Sequence, residues 1–327
     1  MIIVTGATGF IGSNLVAELN DRGRSDIVVV DDLGDGTKWR NIAQRQFIDL
    51  VFPSELEGLL SKLSKADVVF HLGANSSTTA TNGDEIVKSN LRPSMLLWNW
   101  CSRTRSRFVY ASSAATYGDG SRGFDDDEAP ERLAALRPLN LYGWSKHAFD
   151  RWALSQANGG TAPVHWAGLK FFNVYGPNEY HKGDMQSLVA KNARIVHEGG
   201  AVTLFKSHRE GYADGAQLRD FVYVDDCVRV MLWLANSTAP NGLYNLGTGV
   251  ARTFHDLVLA IGKALNTEAR IDFREMPMSI RENYQYFTQA NISKLRKAGY
   301  NERFHSLEEG VSAYVGRYLT TPNYEYR

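Results

Sequence analysis

The stretch MIIVTGATGFIG at residues 1–12 and the stretch DIVVVDD at residues 26–32 decide the fold of this chain. Each contains a short apolar run of the kind that forms a buried strand. Between the runs, Gly6, Gly9 and Gly12 follow one another at three-residue spacing and open a helical segment. The first glycine permits a tight turn, the second allows close approach of a diphosphate, and the third lets the helix pack on the strand. The pattern predicts a dinucleotide-binding βαβ unit.

The second apolar run ends in Asp31, about twenty residues after the glycine turn. A carboxylate at this point can accept hydrogen bonds from the hydroxyl groups of the adenosine ribose. A glycine triplet alone is weak evidence, because glycines occur in any turn. Here the strand, helix, second strand and acidic residue are all present. The residues that we expect to bind the cofactor at this turn are Gly6, Gly9, Phe10, Ile11 and Gly12.

The composition excludes several classes of protein. Among 327 residues, 36 basic side chains offset 36 acidic ones, so no overall field attracts nucleic acid or a membrane surface. Cys101 and Cys227 lack a CxxC or metal-ligand spacing, which favours a reducing compartment and two buried thiols. No signal-like segment and no apolar run of about eighteen residues is present. We therefore expect a soluble cytoplasmic protein without a nucleic-acid, membrane or metal partner.

Two more apolar runs end in small or hydroxyl-bearing residues. Val68–Leu72 leads into a Gly-Ala turn, and Phe108–Ala111 leads into Ser112 and Ser113. In a doubly wound sheet the carboxyl ends of these strands border the cofactor. His71 lies inside the first run, and we interpret it as a core histidine. The expected cofactor contacts from this part of the chain are Leu72, Gly73, Ala74, Asn75, Ser76 and, on the following helix, Asn90.

The segment PLNLYGWSK at residues 138–146 carries a candidate acid/base unit. Tyr142 and Lys146 are one helical turn apart and therefore lie on the same side of a helix. A nearby ammonium group favours the phenolate, and the hydroxyl of Ser113 can hold both the phenol and a substrate oxygen. A Tyr-xxx-Lys pair by itself is common. Its position after a dinucleotide fold and a serine-rich strand end makes Tyr142 a credible general acid/base.

These elements predict an α/β fold, a Rossmann-type doubly wound parallel sheet with a smaller C-terminal α/β substrate-binding lobe. We expect residues 1–170 to form the NAD(P)-binding domain, with later segments near 215–250 returning to it. Residues 171–327 are expected to form mainly the substrate-binding lobe.

Three smaller predictions concern other parts of the chain. Trp98 and Trp100 are expected in the core or in a subunit interface. The acidic run Asp125–Glu128 is interpreted as a solvated face and not as a metal site, because a second set of ligands is missing nearby. Asp226 is expected to cap a helix that ends near Leu234.

The motifs TGATGFIG, ASSAATYG and YGWSK together resemble the extended short-chain dehydrogenases/reductases, the family of nucleotide-sugar epimerases and dehydratases. The resemblance covers essentially the whole chain. It implies that Ser113 and Tyr142 act on a sugar hydroxyl group, that Lys146 holds the nicotinamide ribose, and that hydride passes to the nicotinamide. It also implies a homo-oligomer.

Later segments are similar to one branch of that family, which acts on an ADP-linked heptose in lipopolysaccharide core biosynthesis. They include VYGPNEYHKG at 174–183, YNLGTG at 244–249 and YQYFTQANISKLRKAGY at 284–300. The similarity implies oxidation at C6″ to a ketone and reduction from the opposite face, with one tightly bound NADP per subunit. Tyr142 would serve as base for one epimer and Lys182 for the other. For Lys182 the alternative is a lysine that pairs with a phosphate.

The same similarity implies further contacts. For the cofactor it adds Val174 and Lys182. For the substrate it implies Ser113, Asn173, Asp184, Lys191, Phe205, Lys206, Ser207, His208, Arg219 and Tyr284. This chain departs from the branch at Asp184, where serine is usual, at Lys191, which replaces a histidine, and in a longer loop at 206–218. The departures concern contacts to the sugar and the diphosphate and leave the redox chemistry unchanged.

The choice between NADP and NAD stays open. A carboxylate at Asp31 repels a 2′-phosphate, which favours NAD. The similar branch favours NADP despite that aspartate, but it usually has asparagine next, where this chain has Asp32. Lys38 and Arg40 are cations near this point that could meet a 2′-phosphate, or they could be solvated loop residues. We expect NADP bound through Lys38, with NAD as the alternative.

Two other functions are compatible with the sequence. One is a different nucleotide-sugar epimerase or a 4,6-dehydratase; the absence of an acid pair after Ser113, where Ala114 and Ala115 stand, disfavours the dehydratase. The other is a non-catalytic dinucleotide-binding protein. The presence of Ser113, Tyr142 and Lys146 argues against it, because a binding protein needs no acid/base unit.

Overall fold

The structure, a computed structural model, describes residues 1–281, 284–321 and 325–327. The strands are β1 Ile2–Thr5, β2 Ile27–Val30, β3 Asp49–Val51, β4 Val68–His71, β5 Arg107–Ser113, β6 Trp166–Phe171, β7 Asn173–Tyr175, β8 Ala201–Phe205, β9 Leu218–Tyr223, β10 Gly242–Leu246, β11 Ala251–Thr253 and β12 Arg270–Arg274. The helices are α1 Phe10–Asp21, α2 Leu56–Lys62, α3 Gly83–Ile86, α4 Arg92–Thr104, α5 Pro130–Ala135, α6 Leu141–Asn158, α7 Leu188–His197, α8 Val224–Asn236, α9 Phe254–Ala264, α10 Met278–Arg281, α11 Ser293–Lys297 and α12 Leu307–Tyr314.

The main sheet has seven strands in the order β10-β6-β5-β4-β1-β2-β3. All of its strand pairs are parallel. The buried apolar runs noted in the sequence form its centre, since a parallel sheet covered on both faces requires strands that are apolar on both sides. The strand order reverses beside β1, and the carboxyl ends of β1 and β4 open there into a crevice. The predicted doubly wound fold is confirmed.

Two layers of helices cover this sheet. Helices α1 and α8 pack on one face, with Leu15 and Val228 in the same buried cluster as Val4. Helices α2, α4 and α6 pack on the other face, where Trp98 and Phe149 are buried. Segments far apart in sequence thus complete one sheet, because β10 pairs with β6 and α8 packs beside α1.

A smaller lobe lies beside the carboxyl ends of the strands. It contains the sheet β11-β9-β7 and the strand pair β12-β8. Helices α7, α9 and α12 enclose a third buried cluster, in which Val189, Ile261 and Val311 are fully covered. Because β7 follows β6 after a single residue, this lobe is held directly against the end of the main sheet.

Two sequence predictions are wrong in detail. Helix α8 begins at Val224, so Asp226 lies in its first turn instead of capping it. The Asp226 carboxylate is buried and accepts hydrogen bonds from the His305 backbone and ring, at 2.8 and 2.9 Å. It therefore anchors the segment ahead of α12 and not the start of its own helix.

The acidic run Asp125–Glu128 is only partly a solvated face. Asp126 is buried and accepts from the Asn245 backbone N–H at 2.8 Å. Glu128 accepts from the Leu243 backbone N–H and from Lys294. Two of the acids thus satisfy backbone donors of β10, while Asp125 and Asp127 face solvent. Within the described part of the chain, no group of acids, histidines and cysteines could hold a metal ion.

The predictions for the two cysteines and for Trp98 and Trp100 are confirmed. Cys101 and Cys227 are free and buried, and Trp98 and Trp100 are core residues. Among the described residues, no helix is long and apolar enough to cross a membrane.

Trp98 should be a major source of stability. Its side chain is fully buried, and its ring lies 5.0 Å from that of Trp166 and 6.1 Å from that of Phe108, measured between centroids. Replacing it by alanine should lower the free energy of unfolding by about 3–5 kcal/mol, through lost burial and a cavity. Urea unfolding of cofactor-free protein measures this. Trp39→Ala, at a ring that is 50% exposed, is the control, and an equal loss in both variants would contradict the prediction.

Candidate active site

The glycine turn joins β1 to α1 and leaves its backbone open to the crevice. Gly6 has φ +67°, and a Cβ atom there would lie 2.5 Å from the backbone nitrogen of Gly73. A Cβ atom on Gly12 would lie 2.1 Å from the carbonyl oxygen of Gly6. Gly6 therefore lets the segment after β4 cross the turn, and Gly12 seats the helix on it. A Cβ atom on Gly9 would meet only the Gly6 oxygen, at 3.1 Å, so its other side stays free for a ligand.

Asp31 lies just beyond β2, and its carboxylate is surrounded by donors. The backbone N–H and the hydroxyl group of Thr8 donate to Oδ2 at 2.9 and 2.6 Å. The Asp32 backbone N–H and Lys38 Nζ donate to Oδ1, each at 2.8 Å. Lys38 also donates to the Asp32 carbonyl oxygen at 2.5 Å. The charge of Asp31 is thus compensated by Lys38 at the point where an adenosine ribose would lie.

A cleft of about 570 Å³ runs from Asp31 across the glycine turn to the end of β5. This volume is within the usual range for a cofactor site. The expected cofactor residues that line it are Gly6, Gly9, Phe10, Ile11, Gly12, Asp31, Lys38, Leu72, Gly73, Ala74, Asn75, Ser76, Lys146, Val174 and Lys182. The open backbone at Gly9 and the ribose-facing carboxylate both fit a dinucleotide.

Two expected cofactor residues do not line this cleft. The Asp32 side chain points to solvent. Asn90 is buried behind the cleft, where its side chain accepts from the Asn75 backbone N–H at 2.8 Å and donates to the Asn75 carbonyl and the Ser145 hydroxyl, each at 3.0 Å. It lies in a π-helical turn, Val87–Leu91, that joins α3 to α4. Asn90 therefore positions the loop after β4 against α6.

The end of β5 and the start of α6 bring Ser113, Tyr142 and Lys146 together. Asn140 caps α6 by accepting from the Gly143 N–H at 2.8 Å. A Cβ atom on Gly143 would lie 2.7 Å from the Ala115 carbonyl oxygen, so glycine lets the helix start pack on the turn that follows Ser113. This close packing places all three side chains at the cleft.

The surroundings adjust the charges of this unit. Burial raises the pKa of Tyr142 above its ordinary value, and a hydrogen bond with Ser113 lowers it in part. Burial lowers the pKa of Lys146 to about 8, against an opposing effect of Asp150. Lys146 Nζ lies 6.0 Å from the centroid of the Tyr142 ring. The protonated form of Lys146 thus favours the phenolate that a general base requires.

Lys182 reaches the same place from the turn Tyr180–Met185. Its Nζ lies 5.4 Å from the centroid of the Phe10 ring. Burial lowers its pKa, and the buried carboxylate of Glu179 opposes this effect. Among the described residues, Lys182 Nζ has no hydrogen bond or salt bridge, and the side chain faces the cleft. An amino group in this setting can lose its proton more readily than one in water.

A second cleft, of about 840 Å³, lies between the main sheet and the smaller lobe. It contains three of the expected substrate residues beyond Ser113, namely Asn173, Arg219 and Tyr284. Ser113, Tyr142 and Lys182 line both clefts, so these candidate acid/base residues lie where the two clefts meet.

Arg219 is a buried cation in the second cleft. Its guanidinium carbon lies 5.3 Å from the centroid of the Tyr284 ring and 5.4 Å from that of Phe254. Burial lowers its pKa, and its side chain donates to the Leu218 carbonyl oxygen at 2.8 Å. Within the described ranges it has no carboxylate partner. A buried charge without a partner is costly, which suggests that an anionic ligand completes this site.

The remaining expected substrate residues lie outside the lining of the second cleft: Asp184, Lys191, Phe205, Lys206, Ser207 and His208. Lys191 Nζ donates to the Asp184 carbonyl oxygen at 2.6 Å, so these two departures from the family pattern contact each other. The loop at 206–218 is held by His208, whose backbone N–H donates to the Tyr286 hydroxyl at 3.0 Å. None of the six side chains therefore lines the second cleft itself, and all of them belong to the surrounding part of the protein.

Sequence reasoning assigned no role to seven residues that line the cofactor cleft: Ser77, Ala111, Ser112, Phe171, Phe172, His181 and Met185. His181 lies near Lys38, Lys182 and Asp31. Its pKa is lowered to about 4, mainly by burial and to a smaller extent by the positive charges of the two lysines. Its position directly before Lys182 was the available signal. His71, by contrast, is a satisfied core histidine, with its ring nitrogens 2.7 Å from Thr5 Oγ1 and 2.8 Å from Ser94 Oγ.

Comparisons with known proteins agree with this geometry. Residues 2–247 match the NAD dependent epimerase/dehydratase family. The chain is 48% identical over 322 residues to an ADP-L-glycero-D-manno-heptose-6-epimerase of Nitratidesulfovibrio vulgaris, with 98% of each chain covered. It is 47% identical over 328 residues to the enzyme of that name from Fusobacterium nucleatum, again with 98% of each covered. The chain therefore belongs to the NAD dependent epimerase/dehydratase family.

Solved structures support the same placement. The Helicobacter pylori ADP-L-glycero-D-manno-heptose-6-epimerase has a TM-score of 0.78 and 28% identity, with 96% of this chain and 94% of that chain covered. A Thermus thermophilus UDP-glucose 4-epimerase in complex with NAD has a TM-score of 0.73 and 26% identity, covering 96% and 97%. Within its family the chain is thus a member of the ADP-L-glycero-D-manno-heptose-6-epimerases, an isomerase with a nicotinamide dinucleotide cofactor and a nucleotide-sugar substrate.

Proposed function

We propose that this chain converts ADP-D-glycero-β-D-manno-heptose into ADP-L-glycero-β-D-manno-heptose by transient oxidation at C6″. The observation that carries the proposal is the position of Ser113, Tyr142 and Lys182 where the cofactor cleft meets the second cleft. A sugar carbon held there touches the acid/base groups and the nicotinamide end of the cofactor cleft at once. Residues 1–170, together with the later segments near 215–250 that return to the main sheet, would hold the cofactor. The smaller lobe would hold the sugar nucleotide.

A nicotinamide ring bound in the cleft that runs from the glycine turn to the end of β5 would supply the acceptor for the C6″ hydride and the donor that returns it to the other face. The protein must manage the proton of the C6″ hydroxyl. Tyr142 accepts it while Ser113 holds the oxygen by a hydrogen bond, and the ammonium group of Lys146 stabilises the phenolate. When the 6″-ketone is reduced to the other epimer, its oxygen must receive a proton from a group on its other side.

The two epimers present their C6″ hydroxyl groups in opposite directions. A single base cannot lie within hydrogen-bond reach of both, so a second group is needed on the other side. Lys182 enters from the turn after β7, whereas Tyr142 enters from α6. We assign Lys182 as the second acid/base. Its lowered pKa supports this assignment, because the neutral amine must form in each cycle.

Arg219 is assigned to the diphosphate of the substrate. Arg219→Met should raise KM about tenfold to a hundredfold while changing kcat by less than about threefold, because a charge-assisted contact made equally in ground and transition states is lost. Steady-state kinetics with the ADP-heptose test this. Arg219→Lys is the matched control. Its KM should lie between those of wild type and Arg219→Met, because lysine retains the charge but not the planar guanidinium group. A wild-type KM in Arg219→Met would contradict the assignment.

For the cofactor we propose NADP, with NAD as the alternative. The Lys38 ammonium group already compensates the Asp31 carboxylate, so a 2′-phosphate would approach a paired site and could be contacted by Lys38. The solved Thermus thermophilus structure with NAD bound supports a dinucleotide cofactor and leaves the presence of the 2′-phosphate open.

Lys38→Met should discriminate between the two cofactors. Removing the charge should weaken NADP binding about tenfold to a hundredfold and NAD binding much less, because only NADP has the additional phosphate. Titration calorimetry with cofactor-stripped protein measures both dissociation constants. Arg40→Met, at an exposed cation nearby, is the control. Tighter binding of NAD than NADP by wild type would reject the proposal.

The proposed reaction is tested directly with purified protein and ADP-D-glycero-β-D-manno-heptose. NMR of the product should show the changed configuration at C6″. Loss of water with formation of a deoxy sugar would indicate a dehydratase, and cofactor binding without any conversion would indicate a non-catalytic protein. The homo-oligomeric state and the cytoplasmic location stay predictions.

A further inference from the structure

A buried ion pair lies directly behind the catalytic serine. Lys170 Nζ on β6 is 2.8 Å from Asp150 Oδ2 on α6, and the side chains are 1% and 0% exposed. A buried ion pair is expensive, because both charges lose their hydration. The mechanism described above does not use either residue.

Both charged groups of the pair have further partners. Asp150 also accepts hydrogen bonds from the Tyr110 hydroxyl at 3.0 Å and the Ser112 hydroxyl at 2.7 Å, both from β5. Lys170 donates to the Thr116 hydroxyl at 2.7 Å and lies 5.0 Å from the centroid of the Tyr117 ring. The pair therefore connects the strand that ends in the catalytic serine, the turn after it, and the helix that carries the tyrosine and lysine.

The connection continues to Ser113 itself. The Thr116 hydroxyl donates to the Ser113 carbonyl oxygen at 2.8 Å. The backbone N–H of Ala115, within the same turn, donates to Ser113 Oγ at 3.1 Å. That bond uses one acceptor lone pair of the hydroxyl group and leaves its O–H available as a donor. The orientation of Ser113 thus depends on the turn that Lys170 holds.

We infer that Lys170 and Asp150 are positioning residues for the catalytic unit: the ion pair fixes the Ser113 turn relative to Tyr142 and Lys146. This rests on the proposed function of that unit. Asp150 is one helical turn beyond Lys146 on α6, and its partner Lys170 lies beside Ser112 in the strand register. The pair therefore spans the gap across which Ser113 and Tyr142 must share one substrate oxygen. Misplacement by about 1 Å costs about a hundredfold in rate.

Lys170→Met removes one charge at nearly constant length. Its kcat should fall about a hundredfold, while KM and the dissociation constant of the cofactor should change by less than about threefold. Lys294→Met is the control, because it removes one partner of the Lys294–Glu128 pair. This pair contacts β10 at Leu243, near the amino end of the strand, whereas Ser113 lies at the carboxyl ends of the strands. Lys294→Met should retain wild-type kcat.

The double variant Asp150→Asn with Lys170→Met separates positioning from stability. It removes both charges, so neither is left alone in the interior, and an amide oxygen at position 150 can still accept from Tyr110 and Ser112. If the pair positions the catalytic unit, urea unfolding will return towards wild type while kcat stays about a hundredfold low. Recovery of kcat together with stability would show a structural role only and overturn the inference.

The outcomes also separate this inference from the proposed function. Conversion of the ADP-heptose by wild type together with a wild-type kcat in Lys170→Met would reject the positioning role alone. Absence of conversion by folded wild type with bound cofactor would reject the proposed function and, with it, this inference.

Discussion

Tyr142→Phe should reduce the conversion of ADP-D-glycero-β-D-manno-heptose by about a thousandfold, in the middle of the range for loss of a general acid/base. The phenol oxygen is the group that exchanges the C6″ proton of one epimer, and phenylalanine retains the ring without it. The variant should fold normally, because the Tyr142 side chain is only half-buried. NMR of the sugar product over time gives the rate.

Two measurements make this result specific. The dissociation constant of the cofactor should stay near that of wild type, because Lys146 and the glycine turn are intact. Trp144→Phe, at an exposed ring in the same helical turn, should retain the wild-type rate. Full conversion by Tyr142→Phe would remove Tyr142 from the mechanism.

Lys182→Ala should reduce the rate by several orders of magnitude with the cofactor still bound, because one epimer then lacks its base. The alternative is that Lys182 only pairs with a phosphate, in which case cofactor binding should weaken instead. Steady-state rates and cofactor titration of the same protein distinguish the two. The mechanism thus predicts a loss in kcat and not in affinity.

Lys182→Arg provides the sharper comparison. Arginine retains the positive charge and can bind a phosphate, but it does not lose its proton in proteins. If Lys182 is the second base, the arginine variant should be as inactive as the alanine variant. Activity near wild type in Lys182→Arg would show that the charge is sufficient and would contradict the assignment.

The sequence predicted the main sheet because its signals are local. Continuous apolar runs such as Ile27–Val30 are typical of strands buried on both faces of a parallel sheet, and the observed strand has the same bounds. The glycine spacing predicted the position of the crevice because it is also a local signal. Only a residue without a Cβ atom fits at Gly6 and at Gly12. Residues at strand ends were therefore brought together as expected.

The parts that the sequence could not predict depend on strand register and on the paths of loops and turns. The run at Asp125–Glu128 gives no sign that Asp126 accepts from a strand more than a hundred residues later. The pairing of Lys38 with Asp31 depends on the path of a loop, and the contact between Lys191 and the Asp184 carbonyl depends on a turn. The Lys170–Asp150 pair likewise requires the strand register to be known.

The central claim is that C6″ is oxidised and then reduced within one active site. Substrate that carries deuterium at C6″ tests it most directly. In ordinary water, the product should retain the deuterium at C6″ with inverted configuration, because the hydride that leaves is the one that returns. Mass spectrometry and NMR measure both. Replacement of the deuterium by solvent hydrogen during inversion would show proton abstraction from carbon and contradict the account.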